Sequence, residues 1–259
     1  MFPYIGITDF ETGEQARQML DYFGQLSPPA NRRLMIGVMM SYRTLKGLKT
    51  PWSQVWPPKE KLAEIFIKHP LAYNTLHYAD YDGPTTGEDL LEAISFCGAN
   101  LHAVQFDMIW PDPRMLDAIR QSQPRLDLIL QVGRGAFNYV IGESEILFAD
   151  LKHYRDIIDC VLLDCSMGKG RELDSDLFKG YLKLLRRDRP DLAVAAAGGL
   201  GPKTLPLVEP LVYVYPDISI DAQGQLRKSG SNRDPIDWDL AREYLSQAVK
   251  LFKVWQIPD

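Results

Sequence analysis

Apolar and β-branched residues gather into eight short runs along the chain: YIGIT (4–8), RLMIGVMM (33–40), LAYNTLHYA (71–79), LHAVQFDMI (101–109), LDLILQV (126–132), DCVLLD (159–164), LAVAAAGG (192–199) and VYPDISID (214–221). Most are apolar at nearly every position instead of at alternate ones, which is the pattern of parallel strands covered on both faces. Between them apolar residues recur every three to four positions, as in EQARQMLDYFGQL, GEDLLEAISFCG, PRMLDAIRQSQ, DSDLFKGYLKLLRRDRP and DWDLAREYLSQAVKLF. Strands alternating with amphipathic helices specify a parallel α/β fold, and eight such units favour closure into a (β/α)8 TIM barrel over an open doubly wound sheet.

The length of 259 residues is close to the roughly 250 of one such barrel, so a single domain over residues 1–259 is expected. With 46% hydrophobic and 24% charged residues, the chain has the composition of a globular protein with a large core. The net charge is −5 and no window is dense in Lys and Arg, so nucleic-acid binding is not expected. No stretch approaches the roughly 18 apolar residues of a membrane span, and MFPYIGITDF lacks a basic segment ahead of a long apolar run. The expected location is therefore the cytoplasm. Cys97, Cys160 and Cys165 are odd in number and lack CxxC spacing, which fits a reducing compartment. His69, His77, His102 and His153 are scattered without metal-type spacing and are read as surface or packing residues, so neither metal nor cofactor is expected.

One long irregular insertion, SYRTLKGLKTPWSQVWPPK (41–59), follows the second strand. It falls at the C-terminal face where barrels keep their chemistry, and is either a substrate-facing lid or an excursion whose two tryptophans pack on the barrel. If it faces substrate, the aromatics of 52–56 are candidates to stack on a planar group.

Asp164 closes the sixth strand, so a barrel would aim its carboxylate into the mouth; the alternative is a cap for the following segment. Gly168 and Gly170 flank Lys169 in a turn able to wrap a ligand. AAAGGLGPKTL (195–205) reads as a small-residue strand, a double glycine and a helix beginning at proline, which together would offer N–H donors to a phosphate. DAQGQLRKSGSNRD (221–234) follows the eighth strand, again with glycines and with local basic charge. Loops after strands seven and eight are a recurrent phosphate site of these barrels.

These segments resemble the phosphoribosylanthranilate isomerase family, the aldose–ketose isomerases of tryptophan biosynthesis. LLDCSMGKGRELD stands where the family has LLD and a GGTG-type loop, AAGGLGPKTL where it has AGGL.P, and GQLRKSGSNRD where it has SGVE..PG.KD. PYIGIT looks like KICGIT, MSYR like SPR, and VQFD stands in place of VQLH. The resemblance covers the C-terminal hundred residues best. It implies a (β/α)8 barrel holding a ligand phosphate at the glycine loops, represented here by Gly198, Gly199, Gly224 and Gly230. It also implies Asp164 as general acid and Arg43 as the group that meets an aromatic carboxylate. The family's cysteine base falls at Ile5, which accepts no proton, so the base is sought in Asp107 or Asp9. Asp9 has a competing reading as N-cap of a helix beginning near Glu11. The expected partner is thus a phosphorylated small molecule, turned over by an Amadori-type isomerase. The competing expectation, motivated by Ile5, is a catalytically silent barrel that binds a phosphorylated metabolite and regulates.

Overall fold

The computed structural model describes residues 1–81, 83–133, 151–164 and 175–255. Eight strands close a parallel barrel in chain order: β1 (Tyr4–Thr8), β2 (Arg33–Ser41), β3 (Ala72–Asp80), β4 (Ala103–Met108), β5 (Asp127–Val132), β6 (Cys160–Asp164), β7 (Ala193–Ala197) and β8 (Ser219–Ala222), with β8 pairing back onto β1. Each falls on its apolar run, with β2, β3 and β8 ending one residue beyond it, and β8 starts late because 214–218 turn through Pro216 before the strand begins. The helices Gly13–Gln25, Gly87–Ser95, Pro113–Ser122, Ser175–Asp188 and Trp238–Val254 occupy the amphipathic stretches.

Successive side chains of a strand point to opposite faces, so each strand contributes to two separate cores. Ile5, Ile7, Ile36, Val38, Phe106 and Leu163 join Met19, Phe23, Phe178, Leu182 and Leu245 in the layer between barrel and helices. The opposite parity gives Tyr4, Met35, Tyr73, Ala103, Ile129, Cys160, Leu162 and Ala195, a second cluster inside the barrel. Tyr4 and Tyr73 stack there with ring centroids 5.6 Å apart. At this end Arg32 donates to the carbonyls of Ile218 at 2.8 Å and Pro216 at 2.7 Å and lies 3.5 Å over the Phe252 ring. Toward the C-terminal ends of the strands the same inward parity turns polar, with Thr75 and His77 on β3, Gln105 and Asp107 on β4, Gln131 on β5, Asp164 on β6 and Asp221 on β8.

The insertion after β2 opens with a helical turn at Tyr42–Leu45, capped reciprocally by Ser41 and Thr44, and its Trp52 and Trp56 stack at 5.1 Å with an interplanar angle of 8°. The expected helix from Pro202 is absent. A turn at 201–204 leads to a 3-10 segment Leu205–Val208 and one helical turn Glu209–Val212, each with a proline at its start. Pro206 and Pro210 lack the N–H that would let one continuous helix run through them. Among the described residues no helix is long and apolar enough to cross a membrane.

Candidate active site at the barrel mouth

Two adjoining cavities open at the mouth. The first, about 400 Å³, is lined by His77, Asp107, Asp164, Asp221, both Gln105 and Gln131, and the turns carrying Gly198, Gly199, Gly224 and Gly230. The second, about 340 Å³, is lined by Met39, Tyr42, Arg43, Trp52 and Trp56. Tyr81, Asp107, Gln223 and Asn232 border both. The sequence candidates Asp164, Asp107, Gly198, Gly199, Gly224 and Gly230 thus share one cavity, and Arg43 stands in the next. Gly168, Gly170, Lys169 and Cys165 lie outside the described residues.

Asp107, at the end of β4, is 9% exposed, and its Oδ2 accepts from the Tyr81 hydroxyl and lies 3.4 Å from His77 Nε2. His77 is 5% exposed, so it is not a surface histidine, and β3 places it in the lining of the larger cavity and not in the packed core. Burial alone would push its pKa down, but the Asp107 carboxylate and the more distant Asp221 and Asp9 outweigh burial and leave it raised. The Gln105 amide nitrogen lies 3.2 Å from His77 Nδ1 and donates to Gln131 Oε1 at 2.8 Å. An amide donor on Nδ1 makes that nitrogen the acceptor, which places the ring proton on Nε2 facing Asp107.

Asp221, on β8, is 5% exposed and receives the Thr8 hydroxyl, which lies 3.2 Å from Oδ1 and 3.1 Å from Oδ2. Burial lifts its pKa to about 7, opposed by nearby His77 and the Thr8 hydrogen bond and assisted by Asp9 and Asp164. Two glycines make the space for this pair. A Cβ at Gly6 would stand 2.7 Å from Asp221 Oδ1, and one at Gly37 would stand 2.5 Å from Thr8 Oγ1.

Asp9 is neither a helix cap nor a lining residue of either cavity. The first helix begins at Gly13 and is capped by Thr12, whose hydroxyl accepts from Gln15 N while the Gln15 side chain accepts from Thr12 N. Asp9 instead takes a φ of +89° and is 2% exposed; its Oδ2 accepts from the Arg227 guanidinium and from Gln223 Nε2 at 3.0 Å. Arg227 also donates to the carbonyls of Gln223 and Asp234, so this cation of the expected basic loop is buried and used to fold it. Lys228 turns outward to Asp237 at 3.0 Å. Among the described lining of the larger cavity there is no Lys or Arg. An anion at this end would be met by backbone N–H groups and by Gln225, Ser231 and Asn232. Gly198, Gly199 and Gly230 have φ of +94°, +67° and +70°, a left-handed backbone open to glycine, and it turns the chain sharply beside the cavity.

Arg43 donates to the Lys49 carbonyl at 3.1 and 3.3 Å, which holds it on the insertion. The insertion therefore forms one wall of the mouth. Ile5, the position to which the resemblance assigns a cysteine base, faces the helices in the outer core. Cys97 and Cys160 are free and buried. Among the described residues no group of three His, Cys, Asp or Glu is arranged to hold a metal ion.

Fold and site together define a (β/α)8 barrel whose mouth gathers carboxylates, a histidine and glycine turns around connected cavities. Compared with protein-family models and with the curated proteins, the chain finds no match in either.

Proposed function

We propose that the protein is an acid–base enzyme of the aldose–ketose isomerase type, acting on a small phosphorylated sugar that carries a planar, anionic aromatic group. The observation that carries this reading is the pair of cavities joined at Tyr81, Asp107, Gln223 and Asn232. One offers carboxylates beside glycine turns, the other offers Arg43 beside stacked indoles. The sugar phosphate would lie in the larger cavity with its phosphate at Gly198–Gly199 and Gly224–Gly230, and the aromatic group against Trp52, Trp56 and Arg43. Asp164 would give a proton to the ring oxygen as the bond from that oxygen to C1 breaks. Asp107, steadied by Tyr81 and His77, would remove the proton from C2. A positioned acid and base each contribute about two to four powers of ten in rate.

The resemblance to phosphoribosylanthranilate isomerase supports the choice of substrate to try first. Purified protein is assayed with phosphoribosylanthranilate by loss of its fluorescence, beside Asp164→Asn and Asp107→Asn. Turnover that falls at least about 100-fold in each variant supports the assignment; turnover that both variants retain refutes it.

Ile5, turned away from the mouth, favours a second reading in which the barrel binds a phosphorylated metabolite without converting it. Saturable binding of ribose 5-phosphate with no turnover of phosphoribosylanthranilate is the outcome that selects it.

A further inference from the structure

We propose that Asp221 is a second catalytic residue of this isomerisation: an acid on the wall opposite Asp107, which protonates the carbon next to the one Asp107 deprotonates. The inference rests on the isomerase reading above.

Three observations carry it. In a ring of eight strands in chain order β4 and β8 are four strands apart, so Asp107 and Asp221 face one cavity from opposite sides. Their surroundings differ in kind. Asp107 Oδ2 takes the Tyr81 hydroxyl and stands beside His77, whereas Asp221 sits deeper with one hydroxyl, that of Thr8, as its described hydrogen-bond partner. The Asp221 niche is built, because Gly6 and Gly37 leave out the Cβ atoms that would collide with Asp221 and Thr8. The charged groups acting on Asp221 are His77 from β3, Asp164 from β6 and Asp9 from the end of β1, and the net result is a carboxyl whose proton leaves near neutrality. A pair of carboxyl groups does acid and base work at one pH when the surroundings separate them.

The chemistry balances on Asp221 itself. After Asp164 has opened the ring and Asp107 has taken the C2 proton, the C–H electron pair lies in the C1–C2 double bond of an enamine. The Asp221 O–H bond breaks and its proton forms a new C–H bond at C1, using that pair. The remaining carboxylate then takes the proton of the C2 hydroxyl, whose O–H electrons close the C2=O bond, and Asp221 is an acid again. Asp107 passes its proton to solvent and Asp164 regains one there. With a single base, some of the proton removed from C2 would be delivered to C1 in competition with exchange into solvent.

The test follows the hydrogen. Phosphoribosylanthranilate deuterated at C2 is converted in ordinary water by the unaltered protein, and the product is read by mass and by ¹H NMR at C1. Product carrying solvent hydrogen at C1 in place of the deuterium is expected; deuterium delivered to C1 overturns the proposal. A second arm needs no turnover. In the ligand-free chain labelled with [γ-¹³C]Asp, the resonance missing from Asp221→Asn, or moved in Thr8→Val if that variant does not fold, belongs to Asp221. It should be that of an acid at pH 6 and titrate near neutrality. A resonance already ionised at pH 5 overturns the proposal and leaves the isomerase reading standing. Absence of turnover, with Asp221 protonated at pH 6, overturns the isomerase reading and the carbon-acid role that depends on it.

Discussion

His77 Nε2 lies 3.4 Å from Asp107 Oδ2 inside the barrel, while the other ring nitrogen faces the amide of Gln105 at 3.2 Å. A second proton on the ring needs an acceptor at Nδ1, and Gln105 can provide one by turning its amide over. Its Oε1 is buried and has no hydrogen-bond partner among the described residues as the side chain stands. Gln105→Glu, with an acceptor at both positions, is expected to raise the His77 pKa further, and Asp107→Asn to lower it. Ring ¹⁵N shifts followed against pH check both; a His77 titration unmoved in either variant would show that these neighbours do not govern it.

The titration of the mouth also governs stability. A carboxyl whose pKa is raised on folding holds its proton in the native chain while the unfolded chain has lost it. Asp221, lifted from 3.8 to about 7, therefore makes the native state less stable as pH climbs between those values, by up to roughly 4 kcal/mol. His77 acts in the same direction. Its raised pKa contributes stability that is full below about pH 6.5 and is lost as pH rises through the folded value. Urea unfolding of the unaltered chain should show stability falling from pH 5 to pH 8. Asp221→Asn should flatten that slope and be the more stable of the two at pH 8.

Adding one methyl group at Gly6 or Gly37 tests the niche. The Gly6→Ala Cβ would meet Asp221 Oδ1 at 2.7 Å, Met35 Cε at 2.8 Å and the Ile220 carbonyl at 3.1 Å. The Gly37→Ala Cβ would meet Thr8 Oγ1 at 2.5 Å and Thr8 Cα at 3.0 Å. Overpacking of this kind costs about 1–3 kcal/mol. Gly37→Ala should cost more than Gly6→Ala, because its Cβ meets two backbone atoms, Thr8 Cα at 3.0 Å and the Ile7 carbonyl at 3.1 Å, against one at Gly6, where Met35 can also swing aside. Chemical denaturation of the two variants gives the order.

Asp9 and Arg227 form an ion pair 2% and 3% exposed, and Asp9 Oδ1 has no hydrogen-bond partner among the described residues. Burial raises the Asp9 pKa against the pull of Arg227. Removing one partner leaves a buried charge uncompensated, so Arg227→Met is expected to lose about 3–5 kcal/mol. Arg227→Met with Asp9→Asn, an uncharged residue that tolerates the positive φ of this position, should recover part of that loss. A double-mutant cycle in urea measures the coupling, and two losses that simply add would contradict it.

Arg43 is exposed and bonded to a carbonyl of its own loop, so Arg43→Met should change stability by less than about 0.5 kcal/mol. If the second cavity takes an aromatic carboxylate, the same change should weaken anthranilate binding at least about tenfold, read by quenching of tryptophan fluorescence. Equal affinity in the variant would remove Arg43 from the site.

The strands and the main helices are legible in the sequence because each rests on local periodicity and local caps. The apolar run at 126–132 becomes β5 and the three-to-four repeat at 237–252 becomes the helix Trp238–Val254. The placement of Asp107 and Asp164 at the mouth follows from their position at strand ends. The inward parity of the strands is not legible in the same way. A strand covered on both faces shows no alternation of hydrophobicity, so LAYNTLHYAD does not say by itself whether Thr75 and His77 or Asn74 and Leu76 face the axis. A signal was present all the same: Thr75 and His77, Gln105 and Asp107, and Ser219 and Asp221 are polar residues spaced two apart. What only the tertiary structure decided is which parity points inward, which strands stand opposite each other, and that Asp9 meets Arg227 across 218 positions of chain. Closure of the ring sets all three. The pairing of β8 with β1 fixes the direction of every side chain at once, and no window of the sequence contains that contact.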